Sequence, residues 1–329
     1  MDKIIGLGNA LVDVLVTLKD DTLLHEMGLP KGSMQLIDET KLQQINDKFS
    51  QMNTHIATGG SAGNTIRALG CLGAEVGFIG KVGNDRYGDF YRKDLEENEI
   101  EDKLLMSETL PSGVASTFIS SDGERTFGTY LGAAASLKAE DLILEMFKGY
   151  SYLYIEGYLV QDHEMILRAI ELAKEAGLQV CLDMASYNIV AADLDFFTLL
   201  MNKYVDIVFA NEEEAKAFTG KEPEEALELI GKKCSIAVVK VGAKGSYTRK
   251  GTEEVRVPAI SVDQVKDTTG AGDYFASGFL YGLTCGYSLE KCAKIGSLLS
   301  GNVIQVIGTT ISQECWDEIK LNINGILAE

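Results

Sequence analysis

Short apolar runs rich in Val and Ile alternate with stretches of helical periodicity through most of this chain, and that alternation constrains the fold more than any other feature. The runs fall at 4–7, 76–79, 152–155, 179–182, 207–210 and 236–241. Each is too short for an ordinary helix and lacks a polar alternate face, the pattern of a strand buried on both sides. Between many of them, residues 61–72, 164–176, 212–219 and 223–232 place their apolar positions on one helical face. The succession implies an α/β fold, a doubly wound and mainly parallel sheet with helices on both faces, because parallel neighbours need crossovers and the crossover helices cover the sheet.

Two stretches break the rhythm, 12–38 and 112–132. In the second, Gly113-Val114-Ala115-Ser116-Thr117-Phe118-Ile119-Ser120 alternates before the turn Ser121-Asp122-Gly123-Glu124, which reads as a β-hairpin. Both are expected in a small β-sheet outside the main one, a lid over the carboxyl ends of the parallel strands formed by about 12–45 and 108–132. A chain of 329 residues suits one large α/β domain, 1–329, carrying such an appendage. No repeat, low-complexity tract or Pro-rich linker divides it.

The formal net charge of −19 argues against a general binder of nucleic acid or anionic membrane, whose phosphates it would repel at long range. Any phosphate site must be local, and backbone amides at a helix start can supply one without a basic surface. The six cysteines form no CxxC pair and have no metal-ligand spacing with the three histidines, so small core residues in a reducing cytoplasm are the expectation. Met1-Asp2-Lys3 leads directly into a strand-like run, and no run of about 18 apolar residues exists, which also points to a cytoplasmic protein.

The strongest chemical signal is Asp267-Thr268-Thr269-Gly270-Ala271-Gly272-Asp273, followed by apolar periodicity that indicates a helix starting in the Gly-rich segment. Free amides at such a start face anions. Asp273 would sit in the first turn, where a carboxylate can accept the proton of an attacking hydroxyl while the amides hold phosphate oxygens. On spacing alone, a glycine-rich turn with Asp273 favouring the helix start remains an equal alternative. Other chemistries fit less well. Gly6-Leu7-Gly8-Asn9-Ala10-Leu11 begins like a dinucleotide fingerprint but has Leu at its last position, and no acidic residue follows a second strand at the right distance. No GxxxxGK[ST] occurs, and His25, His55 and His163 accompany no nucleophile elbow.

The 267–273 segment resembles the C-terminal signature of the ribokinase-like or PfkB carbohydrate kinases, a family that includes adenosine kinases. Gly59-Gly60-Ser61-Ala62-Gly63-Asn64 resembles its N-terminal glycine motif. Gly8-Asn9-Ala10-Leu11-Val12-Asp13, Asn211-Glu212-Glu213-Glu214 and Val241-Gly242-Ala243-Lys244-Gly245 extend the likeness over almost the whole chain. The resemblance implies an ATP- and Mg2+-dependent kinase acting on a sugar or nucleoside hydroxyl. Asp273 would be its base, with Gly270, Ala271 and Gly272 forming the anion hole and Arg125 closing onto the phosphates. It places Asn9, Asp13, Gly59, Gly60 and Asn64 at the acceptor, and Asn211 and Glu214 at the hydrated magnesium and ATP phosphates. Thr269, Gly242, Gly245 and Asn302 would line the nucleotide. Asp267, with the loop Val306-Ile307-Gly308-Thr309, resembles segments that bind a monovalent cation, K+, in some members. The family includes both monomers and homodimers. A kinase-like sensor without turnover would be marked by loss of the base, and Asp273 is intact.

Within the family, 8–13, 28–38 and 123–132 look closer to the adenosine-kinase branch than to ribokinase or fructokinase. Leu182-Asp183-Met184-Ala185-Ser186-Tyr187 departs from the sugar-kinase Asp-Pro-Asn pattern and matches no adenosine-kinase pattern. An adenosine-like acceptor is therefore preferred over ribose, fructose or ketodeoxygluconate. Tyr158 and Phe127 are candidates to stack a base or to pack the core or lid.

Overall fold

The computed structural model describes residues 1–328. Its main sheet has nine strands, in the order Glu253–Val257, Ser246–Lys250, Ile236–Lys240, Ile207–Asn211, Gln179–Asp183, Tyr152–Glu156, Ile4–Leu7, Val76–Ile79 and Glu101–Asp102. Every pair from Ile236–Lys240 to Glu101–Asp102 is parallel, and the first two strands add an antiparallel edge. Successive residues feed opposite cores. Ile4, Tyr154, Cys181, Phe209 and Val238 enter one, while Ile5, Leu153, Val180, Val208 and Ala237 enter the other, all ten essentially inaccessible. Burial on both faces is why these runs show no polar alternation.

Three of these strands extend one residue past their apolar runs at the carboxyl end, and a fourth ends inside its run. Tyr152–Glu156, Gln179–Asp183 and Ile207–Asn211 each finish on a polar residue, and Ile236–Lys240 finishes on a lysine. These four strands are neighbours, with Glu156 beside Asp183 and Asn211 beside Lys240 in the register. A row of functional groups thus lines the carboxyl edge of the sheet, where ligands of open α/β sheets bind.

A separate five-stranded sheet has the order Met34–Leu36, Arg125–Tyr130, Gly113–Ile119, Leu11–Thr17 and Thr54–Gly59. Val12, Val14, Val16, Val114 and Phe118 bury one face of it under the helices Thr22–Met27 and Glu39–Phe49, with Phe118 edge-on to Phe49. The fifth strand, Thr54–Gly59, lies outside the two segments expected from sequence. It is a short edge strand of mixed polarity whose pairing with Leu11–Thr17 is long-range, so local pattern does not announce it. Among the described residues no helix is long and apolar enough to cross a membrane. All six cysteines are free, with Cys181 and Cys292 buried.

Candidate active site

Helix Ala271–Thr284 begins at Gly270, whose φ of 75° is left-handed. A Cβ there would also lie 2.6 Å from the Thr309 Cγ2, so only glycine fits. No side chain caps this start among the described residues, and helix geometry leaves its first-turn amides available to an anion.

Asp273 occupies that first turn. Its carboxylate accepts hydrogen bonds from Ser61 Oγ at 2.7 Å and Asn64 Nδ2 at 2.9 Å. Both donors lie in the first turn of helix Ser61–Cys71, so the two glycine-rich motifs meet at one carboxylate. Burial pushes Asp273 up to about 6, with the bonds from Ser61 and Asn64 opposing. Asn64 is occupied at both ends, because its Oδ1 accepts from Thr309 Oγ1 at 3.1 Å. Its polar atoms therefore link Asp273 to the Thr309 loop.

The expected acceptor residues surround this point. Asp13 projects from Leu11–Thr17 against Gly59, where a Cβ would come within 2.5 Å of its Oδ1. Burial raises Asp13 to about 7, against the pull of Arg67 and Arg125. Gly60 has a φ of 86°, and a Cβ on it would stand 2.1 Å from the Asn9 carbonyl oxygen. Asn9 turns its donor inward, giving Nδ2 and its backbone amide to Glu156 Oε1 at 2.6 and 2.9 Å. Glu156 Oε2 accepts the Ala62 amide at 2.9 Å, so this one buried carboxyl ties the strand end to both substrate-side loops. Burial raises Glu156 to about 7, the three donors opposing.

On the other flank, Arg125 reaches from the second sheet to within 2.7 Å of Asp267 Oδ2, and to Thr269 Oγ1 at 3.4 Å. Asp267 also accepts the amides of Thr269 and Gly308 at 3.0 and 2.8 Å, fastening the signature segment to the 306–309 loop. Asn211 and Glu214 form a reciprocal capping box on helix Glu212–Thr219. Burial raises Glu214 above the usual carboxylate range, reinforced by Asp183 and opposed by Lys240. Lys240 Nζ donates to Asp183 Oδ2 at 3.0 Å. Burial disfavours its charge, but Asp183, Glu214 and Asp273 outweigh that and hold the ammonium above its ordinary pKa.

Gly242, Gly245 and Asn302 were expected to line the nucleotide. Gly242 lies in an exposed turn. Gly245, at φ 98°, is demanded by the Val257 carbonyl oxygen, 2.0 Å from where its Cβ would be. Asn302 bonds Leu298 O at 2.8 Å within its own helix. Among the described residues no hydrogen bond ties these three to the Asp273 cluster. Sequence reading did not single out Glu156, Asp183, Lys240 or Arg67, whose guanidinium spans Thr58 Oγ1 and the Thr309 carbonyl. The available signal was a charged residue at the carboxyl end of an apolar strand, or inside the apolar face of a helix.

Among the described residues no group of three or more His, Cys, Asp or Glu is placed to hold a metal alone. Asn211 and Glu214 offer hard oxygen donors near Lys240, a set suited to magnesium that arrives with phosphate and keeps several waters.

The raised carboxyls oppose activity and stability in pH. Asp13 and Glu156 at about 7 and Asp273 at about 6 are all raised above values near 4 in an unfolded chain. Between these limits the folded chain binds more protons, so their contribution to stability is full below about 4 and is lost as pH rises through 6–7. Carboxyls held low, such as Asp85, act only at more acid pH. The thermal midpoint of the ligand-free chain is expected to rise from pH 8 to pH 5.5, while any reaction needing ionised Asp273 slows. Parallel melts and rate measurements across that range check both signs, and a midpoint that falls over the range contradicts the assignment.

The pfkB family carbohydrate kinase pattern matches residues 32–315. A probable sugar kinase from Rhizobium etli CFN 42 superposes with a TM-score of 0.87 at 35% identity, over 99% of each chain. Adenosine kinase from Sinorhizobium meliloti superposes at 0.86 with 35% identity, over 98% of this chain and 99% of that one. Adenosine kinase 2 of Arabidopsis thaliana is 27% identical over 94% of this chain and 96% of its own length. With the two glycine motifs joined at Asp273 on a doubly wound sheet, and with this match over most of its length, the chain belongs to the pfkB family of carbohydrate kinases, phosphotransferases that act on sugar or nucleoside hydroxyls.

Proposed function

We propose that this chain transfers the terminal phosphoryl group of ATP to a nucleoside hydroxyl, with Asp273 as general base and the 270–273 amides as the anion hole. The observation that carries the reading is the half-buried Asp273 carboxylate, held by Ser61 and Asn64 at an uncapped, glycine-opened helix start. Asp273 takes the hydroxyl proton as the acceptor oxygen bonds phosphorus and the bond to the ADP oxygen breaks. The first-turn amides hold the oxygens on which charge develops. Magnesium bound with the nucleotide would supply further neutralisation of the phosphate oxygens, positioned by Asn211 and Glu214. The second sheet acts as a lid that carries Asp13 to the acceptor and Arg125 to the phosphates, and its closure excludes water.

A nucleoside is favoured by the cleft face of that lid. Arg125 points to Asp267, and Phe127 shares its face because side chains alternate along a strand. Across the register, Phe127 lies beside Thr117 and Met34, and Thr117 beside Leu15, while Asp13 and Ala115 occupy the next rung. A hydroxyl-binding carboxylate next to an apolar and aromatic row suits a ribose carrying a base. The adenosine kinases among its relatives agree, and the probable sugar kinase keeps a plain sugar as the second reading.

Adenosine, inosine, ribose, fructose and ketodeoxygluconate assayed with ATP and magnesium separate these readings, and a sugar preferred over both nucleosides overturns the first. Base stacking on an aromatic ring contributes about 1–3 kcal/mol, so Phe127→Ala is expected to raise the nucleoside KM at least about fivefold and leave that of ribose nearly unchanged. Asn211→Ala and Glu214→Ala are expected to raise the magnesium requirement and lower turnover more than they weaken acceptor binding. Magnesium titrations that match the parent would remove these residues from the donor site.

A further inference from the structure

Among the four strand-end residues of the carboxyl-edge row, Lys240 is the one cation. The strand Ile236–Lys240 is apolar and inaccessible up to Val239, and then places an ammonium in a site already crowded with carboxylates. Nζ sits 3.0 Å from Asp183 Oδ2, and the Lys240 side chain is only 15% exposed. A Cβ added to Gly272 would meet that same nitrogen at 2.9 Å, with no other side chain intervening. The ammonium therefore lies directly against the second residue of helix Ala271–Thr284, on the same helix start whose first-turn amides are uncapped.

From this geometry we infer that Lys240 is a further catalytic residue, whose ammonium binds a terminal phosphoryl oxygen of ATP alongside the 270–273 amides while Asp183 holds it in place. The inference rests on the kinase reading above and adds a ligand to it. Phosphoryl transfer leaves little covalent chemistry to the protein and depends on positive groups fixed where the equatorial oxygens of the moving group will lie. A lysine on a rigid strand end, held by a buried carboxylate, is such a group and needs little reorganisation during the reaction. Gly272 completes the arrangement, since any larger residue would push the ammonium away from the helix start.

The competing explanation is that Lys240 only neutralises Asp183, because a buried carboxylate left without its partner is costly. Two variants separate the two. In Lys240→Met the ammonium is lost and Asp183 is stranded; in Lys240→Met/Asp183→Asn both charges are removed. Single-turnover transfer to the best acceptor of the panel is measured for each, with MgATP and MgADP affinities by calorimetry and thermal unfolding in parallel. Loss of one fixed donor at a site of developing charge typically costs about 10²–10³ in rate. Both variants are expected to lose transfer by about that factor, with acceptor binding within a few-fold of the parent, and to lose preferential affinity for MgATP over MgADP. The double variant serves as the folded test if the single one proves unstable. Recovery of transfer in the double variant, or an unchanged ATP-to-ADP affinity ratio, overturns the inference. A parent chain that transfers to none of the five acceptors overturns the kinase reading itself, and is distinguished by being seen before any substitution is made.

Discussion

Asp273→Asn is expected to fold, bind ATP and acceptor, and lose phosphoryl transfer by about 10²–10⁴, equivalent to roughly 3–5 kcal/mol of barrier. The network around the position tolerates the change. The asparagine oxygen can accept from Asn64 Nδ2, and its NH2 can donate to Ser61 Oγ, a hydroxyl that serves either role. Burial disfavours the native carboxylate, so the neutral variant should melt no lower than the parent above pH 7. A residue that only favoured the helix start would tell a different story, because asparagine caps helices as well as aspartate does. Single-turnover transfer, followed with ATP binding and a thermal melt, decides the matter. Rates within a few-fold of the parent would mean that Asp273 is not the base.

Gly60→Ala is expected to be the most damaging single-methyl change on the acceptor side. Gly60 combines a φ of 86° with a backbone oxygen 2.1 Å from the would-be Cβ. Holding a residue with a Cβ at φ 86° and ψ 136° costs about 1–3 kcal/mol, and forced overpacking adds about 1–3 kcal/mol. The sum, roughly 2–6 kcal/mol, is a large share of the 5–15 kcal/mol typical of whole domains. Relief by moving the Asn9 carbonyl would drag the Asn9 amide off Glu156 and disturb the approach to Asp13. Gly73 provides the control, since its φ of 83° is similar but nothing lies within 4 Å of its would-be Cβ. Urea titrations of the two alanine variants should place Gly60→Ala well below Gly73→Ala in stability. Equal losses would mean that the positive φ alone, and not the Asn9 contact, dictates glycine at position 60.

The six parallel core strands were legible because each is buried on both faces and so reads as an unbroken apolar run. Ser61–Cys71 and Glu212–Thr219 were legible because amphipathic periodicity is local. The same criterion stopped short at the strand ends. An apolar run finishes where polarity begins, and Glu156 and Asp183 stand one residue beyond. Lys240 lay inside its run, where its neighbours made it look like an interruption of a strand. Thr54–Gly59 escaped for a related reason, since an edge strand of mixed polarity gains its identity from a partner far along the chain.

Local sequence by itself determined the alternation of strand and helix, the glycine-opened start of helix Ala271–Thr284, and the chemical types available at that start. Only the tertiary structure decided which groups meet there. Ser61 and Asn64 reach Asp273 across 212 and 209 positions, and Glu156 binds Asn9 across 147. Arg125 comes to Asp267 from a different sheet. Parallel register then aligns Glu156 with Asp183 and Asn211 with Lys240 along one edge. Periodicity reports which face a side chain takes, whereas the partner on that face is chosen by crossovers and sheet order, which no short window of sequence contains.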